Sequence, residues 1–431
     1  MSRLLILGAG VSGVAAARLA RSSGMTVTVF DERPSSLMAD LGVGLAIGQW
    51  DPLLLNGVDL VVASPGFSER SRPVVDVLES GVPIWSEIEL AYRHLHSPVI
   101  AITGTNGKTT VTEAAAAMLD ASGLDAPATG NIGAPLSDFA DTSYDALVVE
   151  VSSFQLRFIE EFHPVAAAIT NVAVDHLDWH GSAYAYREAK ARIYENQTDA
   201  DLLVFDADDA GASRLASYAP SELYPVSGST VPEGGGGFDG RNLIVGDVAI
   251  DVTDLMSDDP THLVNLACAG ALALRMGATP EGVGSGAINY RPGAHRRSVI
   301  ATEGGVTWVD DSKATNPHAA VASIRAHGSV ILIAGGLAKG IELSPITDEP
   351  NVRLLIGIGE AGPSLVEAAA ERGRVAGTLE IAVEVAASAA QPGDTVLLAP
   401  GCASFDQFSS YGARGDRFTE LVLARLGGNP R

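Results

Sequence analysis

Cysteine is nearly absent from this chain: 431 residues hold two, Cys268 and Cys402. Two cysteines cannot build a disulfide framework. Neither has a partner at metal-site spacing, and the usage fits a reducing cytosol as the expected compartment. Lysine is almost as scarce, since only Lys108, Lys190, Lys313 and Lys339 stand among 28 basic residues. The 52 acidic residues leave a formal charge of −24. Proteins that bind nucleic acid or anionic membranes normally present a basic surface, so neither is expected as a partner, and any anionic ligand needs a local basic pocket. Long apolar runs are missing too: none reaches the roughly 18 residues of a membrane span. The apolar start Leu4–Leu7 runs into Gly8, Gly10 and Gly13. That reads as a strand meeting a tight turn, not as a signal peptide.

What is present is an α/β pattern. Short apolar strands alternate with Ala/Leu-rich helical stretches, and the hydrophobic fraction of 46% supports large cores. At roughly 100–200 residues per domain the length suggests two to four domains. Three segments emerge. Residues 1–92 hold strands Arg3–Leu7, Thr26–Phe30 and Leu60–Ser64. A second strand-turn-helix unit begins at Pro98–Gly104 and continues to the Pro292–Gly293 pair, giving 93–293. Residues 294–431 hold strands Val306–Val309, Val330–Ile333, Leu354–Ile358 and Thr395–Leu398. Gly234–Gly237 reads as a surface loop ahead of a hairpin, Asn242–Val245 and Val248–Val252, turned at Gly246–Asp247.

Two glycine-rich turns carry chemistry. Gly8-Ala9-Gly10-Val11-Ser12-Gly13 fits G-x-G-x-x-G between a strand and a helix, and Asp31 ends the next strand. Glycines at this spacing admit a pyrophosphate to a helix N-terminus, and the acid accepts from a ribose hydroxyl. A dinucleotide or a nucleotide diphosphate joined to a sugar would fit equally. Thr103-Gly104-Thr105-Asn106-Gly107-Lys108-Thr109-Thr110 lies between strand Val99–Ile102 and helix Glu113–Leu119. Backbone N–H groups in such a loop converge on phosphate oxygens. Lys108 adds a mobile positive charge, and the Thr109 hydroxyl can ligate Mg²⁺. A general Walker loop needs glycine at the position of Ile102, so this is a narrower pattern.

With the segments that follow, the chain resembles the Mur ligases, a group similar to folylpolyglutamate synthetase in its two later domains. The resemblance runs over essentially the whole chain in the expected order. It implies three α/β domains: a Rossmann-like N-terminal domain, a central P-loop ATPase-like domain and a Rossmann-like C-terminal domain. Glu150-Val151-Ser152-Ser153-Phe154-Gln155-Leu156 resembles the family segment whose glutamate holds Mg²⁺. Asn171-Val172-Ala173-Val174-Asp175-His176-Leu177-Asp178 resembles the motif whose histidine approaches a second Mg²⁺. Nothing in the pattern gives His180 a role. Tyr186-Arg187-Glu188-Ala189-Lys190 resembles the segment carrying the family's carbamoylated lysine. A CO2-derived carbamate turns an amine into an anionic oxygen ligand for a hard cation, which arginine cannot match. Asn131 and Asn265 resemble positions that bond the adenine, although His262 stands where the family usually has a further asparagine. Gly104, Thr105, Asn106, Gly107, Lys108, Thr109 and Thr110 complete the implied ATP set. By the same resemblance Ser12, Asp31, Glu32, Arg33, Ser64, Gly66, Asn131 and Ser152 would hold a UDP-sugar.

In the third segment His295-Arg296 and Asp310-Asp311-Ser312-Lys313-Ala314-Thr315-Asn316 resemble motifs that close over ATP. Arg296 would reach phosphate, Asp311 a ribose hydroxyl, and Lys313 a phosphate or the reacting carboxyl. The D-S-K-A-T-N form, with Lys339 and Ser404 in their glycine-rich loops, resembles the branch that adds D-glutamate. Thr315, Lys339, Ser404 and Tyr411 would clamp its two carboxylates, as basic groups and hydroxyls suit a dicarboxylate. All four lysines thus fall inside motifs. Codon bias is the bland account of the arginine excess, but it would scatter them over solvated helices.

The resemblance implies ATP-dependent amide formation on UDP-N-acetylmuramoyl-L-alanine through an acyl phosphate, with two Mg²⁺ ions organised by Thr109, Glu150, His176 and Lys190, in a monomer. A carboxylate is a poor electrophile, so some such activation is required. A sister ligase adding another amino acid would share the ATP core. A nicotinamide-dependent oxidoreductase would explain residues 8 to 31 and nothing after residue 100. A non-catalytic nucleotide-binding protein would not need the metal-ligating set.

Overall fold

The most apolar runs become central strands. Val99–Thr103 and Val330–Gly335 bury every residue, as parallel strands covered on both faces do. The computed structural model describes residues 2–38 and 41–427, which form three sheets in two compact units divided between Tyr290 and Arg291.

The first sheet holds β1 (Arg3–Leu7), β2 (Thr26–Asp31), β3 (Gly44–Ile47), β4 (Leu60–Ala63) and β5 (Ile84–Ser86), ordered β3-β2-β1-β4-β5 with every pair parallel. The order reverses between β1 and β4. At that switch point loops diverge and leave a crevice beyond the carboxyl ends of the strands. A Cβ on Gly8 (φ +112°) would collide with Ser64, so the glycine turn after β1 and the turn after β4 close on each other there.

The second sheet holds β6 (Val99–Thr103), β7 (Ala128–Gly130), β8 (Leu147–Glu150), β9 (Ala166–Ile169), β10 (Leu202–Asp206), β11 (Glu222–Ser227), β12 (Gly236–Phe238), β13 (Asn242–Val245) and β14 (Val248–Asp251). Its order is β14-β13-β12-β11-β10-β9-β6-β8-β7. It is parallel from β12 to β7 and ends in the expected antiparallel hairpin, turned at Gly246 (φ +54°). Again the chain reverses at the first strand: β8 flanks β6 on one side and β9 on the other. The carboxyl ends of these three strands carry the phosphate loop, Glu150 and Asn171.

Gly234–Gly237 is not wholly a surface loop. Gly236 and Gly237 are buried and enter β12. A Cβ on Gly237 (φ +150°) would collide with the carbonyls of Ser227 and Thr230, so glycine here serves close backbone approach, a role that composition does not separate from flexibility.

Within the first unit the two sheets share an apolar core that runs from Leu4 and Ile6 through Leu90 to Val99 and Leu147. Polar groups fasten the seam. The fully buried Glu89 accepts the backbone N–H groups of Glu160, Glu161 and Phe162 at 2.9–3.1 Å and the Arg93 Nε at 2.7 Å. The Trp179 indole donates to the Pro65 carbonyl at 3.2 Å, and Arg157 Nε to Glu69 at 2.9 Å.

The second unit holds the third sheet: β15 (Ser298–Glu303), β16 (Val306–Asp310), β17 (Val330–Gly335), β18 (Val352–Ile358), β19 (Gly373–Gly377) and β20 (Thr395–Leu398), ordered β15-β16-β20-β17-β18-β19. Among these strands β15 and β16 pair antiparallel and the rest parallel. Helices cover both faces, one core lying around Leu332 and Leu355 and the other around Ile333 and Phe418. Among the described residues no helix is long and apolar enough to cross a membrane.

Candidate active site

The phosphate loop is shaped by positions only glycine can take. A Cβ on Gly104 (φ +152°) would collide with the Thr170 hydroxyl, and one on Gly107 (φ +82°) would lie 2.6 Å from Asn265 Oδ1. Asn265 therefore sits against the loop, carried there by the helix Pro260–Arg275. Side chains from β9 and beyond brace the loop. The Asn106 N–H donates to Asn171 Oδ1 at 2.9 Å, and Asn171 Nδ2 donates back to the Asn106 carbonyl at 3.1 Å. Thr105 Oγ1 lies 3.0 Å from the buried Tyr186 hydroxyl. The helix Lys108–Asp120 follows with Gly107 at its N-cap and no side-chain cap. Its first-turn N–H groups, including those of Thr109 and Thr110, are thus available to a phosphate.

Two lysines meet at one carbonyl. Lys108 Nζ donates to Gly104 O and Thr105 O, each at 3.0 Å, and Lys190 Nζ donates to Gly104 O at 2.6 Å. Lys190 is 1% exposed and lies over the Tyr186 ring at 4.6 Å. Burial, and then the Lys108 charge, hold its amine well below the usual lysine range. An amine kept neutral is nucleophilic, the form in which it can add CO2.

Glu150, at the end of β8, is 3% exposed. Its Oε1 accepts from Asn131 Nδ2 at 2.8 Å, whereas Oε2 is buried with no partner among the described residues. A buried carboxylate oxygen left this way lacks a cation or a donor. His176 takes a left-handed backbone (φ +51°) at the start of the one-turn helix Leu177–His180. Its ring packs edge-on to Phe154 at 4.7 Å. Ser152 caps the helix Ser153–Leu156 in a reciprocal box with Gln155. Among the described residues no three His, Cys, Asp or Glu side chains form a preformed metal cage. Mg²⁺ does not need one, because it commonly takes one or two carboxylates and completes its shell with substrate phosphate and water.

The first-sheet candidates occupy the crevice between β1 and β4. The helix Val11–Ser22 starts after Gly10 with no side-chain cap and carries Ser12 in its first turn, while Ser64 and Gly66 form the facing turn. Asp31 is already engaged: its Oδ2 accepts the Ala9 N–H at 2.7 Å and its Oδ1 the Arg33 N–H at 3.0 Å. It braces the glycine turn and keeps lone pairs for a further donor. Glu32 and Arg33 are exposed beside it.

In the second unit the candidates gather at the carboxyl edge of β16, β17 and β20. His295 (φ +63°) places Nδ1 2.6 Å from Asp310 Oδ2, and Arg296 follows, half-buried. Asp311 is buried, which pushes its carboxyl up, and accepts the Arg297 N–H at 3.2 Å. Lys313 Nζ lies 4.0 Å over the Tyr411 ring, and the Ser312 hydroxyl donates to the Tyr411 carbonyl at 2.8 Å. The loops bearing Lys339 (φ +53°) and Ser404 are paired through Leu337 and Ala403, and Gly401 N–H reaches the Ala314 carbonyl, one residue before Thr315.

Sequence reasoning missed two organisers here. Arg414 is 1% exposed and donates to Ser312 Oγ, to the Ser312 carbonyl and to the Cys402 carbonyl at 3.0–3.2 Å, tying two of these loops together. The signal was present: Arg414, Phe418 and Val422 share one buried helix face at i, i+4 and i+8. Tyr186 was quoted only as a neighbour of Lys190, yet it supports both that lysine and the phosphate loop.

Comparison with known proteins bears on this arrangement. Residues 2–86 match a family model described as Mur ligase MurD-like, N-terminal domain; 102–230 match the Mur ligase middle domain; and 295–402 match the Mur ligase, glutamate ligase domain. A protein of Frankia casuarinae is 40% identical, with 98% of this chain and 94% of that one covered. One of Rubrobacter xylanophilus is 39% identical with 99% of each covered. Both are named UDP-N-acetylmuramoylalanine--D-glutamate ligase. The chain belongs to the Mur ligase family. Solved structures agree on the Mur ligase fold. A pseudomurein peptide ligase type C from Methanothermus fervidus is 20% identical with a TM-score of 0.63, over 99% of this chain and 100% of that one. The UDP-N-acetylmuramate-alanine ligase of Thermotoga maritima is 18% identical with a TM-score of 0.61 over the same shares.

Proposed function

We propose that this chain joins the amine of D-glutamate to the L-alanine carboxyl of UDP-N-acetylmuramoyl-L-alanine, with ATP converted to ADP and phosphate, in peptidoglycan precursor synthesis. The observation that carries the reading is the meeting of Lys108 and Lys190 at the Gly104 carbonyl, in the same sheet edge as a buried Glu150 oxygen that has no partner among the described residues. That edge is built for a metal nucleotide. The relatives' shared name supplies the substrates.

In this reading residues 1–92 hold the UDP-sugar, with Ser12, Asp31, Glu32, Arg33, Ser64 and Gly66 in the crevice and Asn131 and Ser152 beyond it. Residues 93–293 hold ATP. The loop N–H groups and Lys108 take its phosphates, Asn131 and Asn265 its adenine. Glu150, His176, Thr109 and a carbamate on Lys190 would hold Mg²⁺, two ions in all, and the orphaned Glu150 oxygen fits such a cation. Bound there, Mg²⁺ spreads the charge that builds on the phosphates during transfer. The alanyl carboxylate attacks the γ-phosphorus, ADP leaves, and the acyl phosphate that forms is captured by the amine of D-glutamate. Phosphate then departs from the tetrahedral adduct. The protein's part is orientation and fixed charge. Residues 294–431 hold D-glutamate, with Thr315, Lys339, Ser404 and Tyr411 around its carboxylates, and Arg296, Asp311 and Lys313 serve the nucleotide. The protein works as a monomer in the cytoplasm.

The test is phosphate release with UDP-N-acetylmuramoyl-L-alanine, D-glutamate and ATP, each omitted in turn, with the product weighed by mass spectrometry. Release that needs all three and a product heavier by one glutamyl residue is expected. Equal release with L-alanine or a diamino acid in place of D-glutamate would sink the assignment. With ¹³C-bicarbonate, a carbamate carbon signal absent from Lys190→Arg is expected, and its absence from the active wild-type protein would refute the carbamate.

A further inference from the structure

Glu150 and His176, two of the groups assigned above to the metal, stand on very different footings. Glu150 closes a buried strand. His176 ends a loop and begins a single helical turn, Leu177–His180, too short to hold itself together. Something outside that turn must fix it. Its last residue, His180, is 6% exposed and places Nε2 2.9 Å from Ser153 Oγ, on the segment that Glu150 begins. The His180 ring stacks on Phe154 (5.6 Å, 19°), touches Trp179 (4.5 Å) and meets Tyr186 edge-on (5.4 Å). The same Phe154 ring also meets His176 edge-on and Trp179, each at 4.7 Å. Ser153 itself is rigidly placed, because the Ser152–Gln155 capping box fixes its turn.

A phenyl ring would fill this aromatic site without polar cost. His180 instead leaves Nδ1 buried with no partner among the described residues, and such an atom is retained only where the other nitrogen does something an apolar ring cannot. What Nε2 does is join the two ligand-bearing segments through Ser153.

We infer that His180 and Ser153 are a positioning pair that sets the spacing between Glu150 and His176, and through it the affinity for the divalent cation. This rests on the metal-nucleotide reading of the site. In that reading neither residue is itself a ligand of the cation.

The experiment measures Mn²⁺ binding by electron paramagnetic resonance, with a non-hydrolysable ATP analogue, in the wild type, Ser153→Ala, His180→Phe, His180→Gln and the Ser153→Ala/His180→Phe double variant. Steady-state KM values for each substrate are read alongside. Groups that orient metal ligands are typically worth about 10- to 100-fold in metal affinity. Ser153→Ala and His180→Phe should each weaken Mn²⁺ by about 10-fold, and the double variant should be no worse than either, since both remove one bond. His180→Gln, whose amide nitrogen can reach where Nε2 was, should recover most of the loss. The KM for D-glutamate, whose assigned residues lie in the second unit, should not move. Ser153→Ala is small enough to keep the fold if His180→Phe does not. Wild-type affinity in Ser153→Ala, or losses that add in the double variant, would overturn the pair while leaving the metal site standing. A wild-type protein that binds no Mn²⁺ with the analogue would overturn the metal reading and the pair together.

Discussion

Glu87 offers a test of the seam between the first two sheets. It begins the helix Glu87–Tyr92, is 1% exposed, and accepts the Ser137 N–H at Oε1 at 2.6 Å. Its Oε2 and the hydroxyls of Ser86 and Ser137 are all buried without a partner among the described residues. Two residues on, Glu89 is saturated with donors. The contrast predicts that Glu87 is the acid of the pair that resists ionisation, and burial raises its pKa from 4.5 to about 7. The sign follows from linkage. Folded-state pKa above unfolded means that the folded chain holds a proton the unfolded chain has lost, so this contribution is fully present below pH 4.5 and is lost as pH rises to 7. At about 1.4 kcal/mol per pH unit the loss comes to about 3 kcal/mol. Glu87→Gln cannot ionise, keeps an acceptor for the Ser137 N–H and gains a donor for a nearby hydroxyl. Its stability relative to the wild type should therefore climb between pH 4.5 and 7 and stay level above, leaving the variant more stable at pH 8 by up to about 3 kcal/mol. Urea unfolding across pH 4.5–8.5, followed by tryptophan fluorescence, reads this directly, because Trp85 lies two residues away. Parallel stability curves for the two proteins would refute the argument.

Arg414→Met should strand the Ser312 and Cys402 carbonyls in the second unit. The loss is expected at about 2–4 kcal/mol, partly offset by relief of a buried charge whose own pKa burial has lowered to about 10, and the KM for D-glutamate should rise with it. Unchanged denaturation and KM would contradict this. Ala370 sits at φ +52°, ψ −124°, a conformation that costs a residue bearing a Cβ, so Ala370→Gly should raise stability by about 1 kcal/mol in the same assay. Gly104→Ala combines a φ of +152° with a clash on Thr170. It should cut phosphate release at least about 100-fold, since it displaces the donors aimed at the phosphates; a variant within a few-fold of wild type would mean the loop is not the phosphate cradle.

Much of the site was legible because its chemistry is local. The phosphate loop needs consecutive N–H groups and therefore consecutive residues, so Gly104 to Thr110 stand out in any reading. Scarcity of lysine pointed at all four lysines for a reason that needs no neighbours. Asp31 was visible as an acid at a strand end, but its engagement with the Ala9 N–H was not, because that bond spans 22 residues. Gly236 and Gly237 were misjudged because a glycine that permits close approach and one that permits flexibility are the same letter.

The sequence by itself determined the α/β class, the glycine turns where strands give way to helices, and which residues are candidates for metal, nucleotide and dicarboxylate, since all of these depend on residue type and on spacing within one or two turns. Only the tertiary structure decided which of those groups meet. It put Lys190 against Gly104, 86 residues away, buried one oxygen of Glu150 with no partner among the described residues, and buried His180, Glu87 and Arg414 among partners that lie far off in the chain. The reason is that desolvation and hydrogen-bond partnership belong to the surroundings of a side chain, and those surroundings exist only once the sheets have closed on their helices.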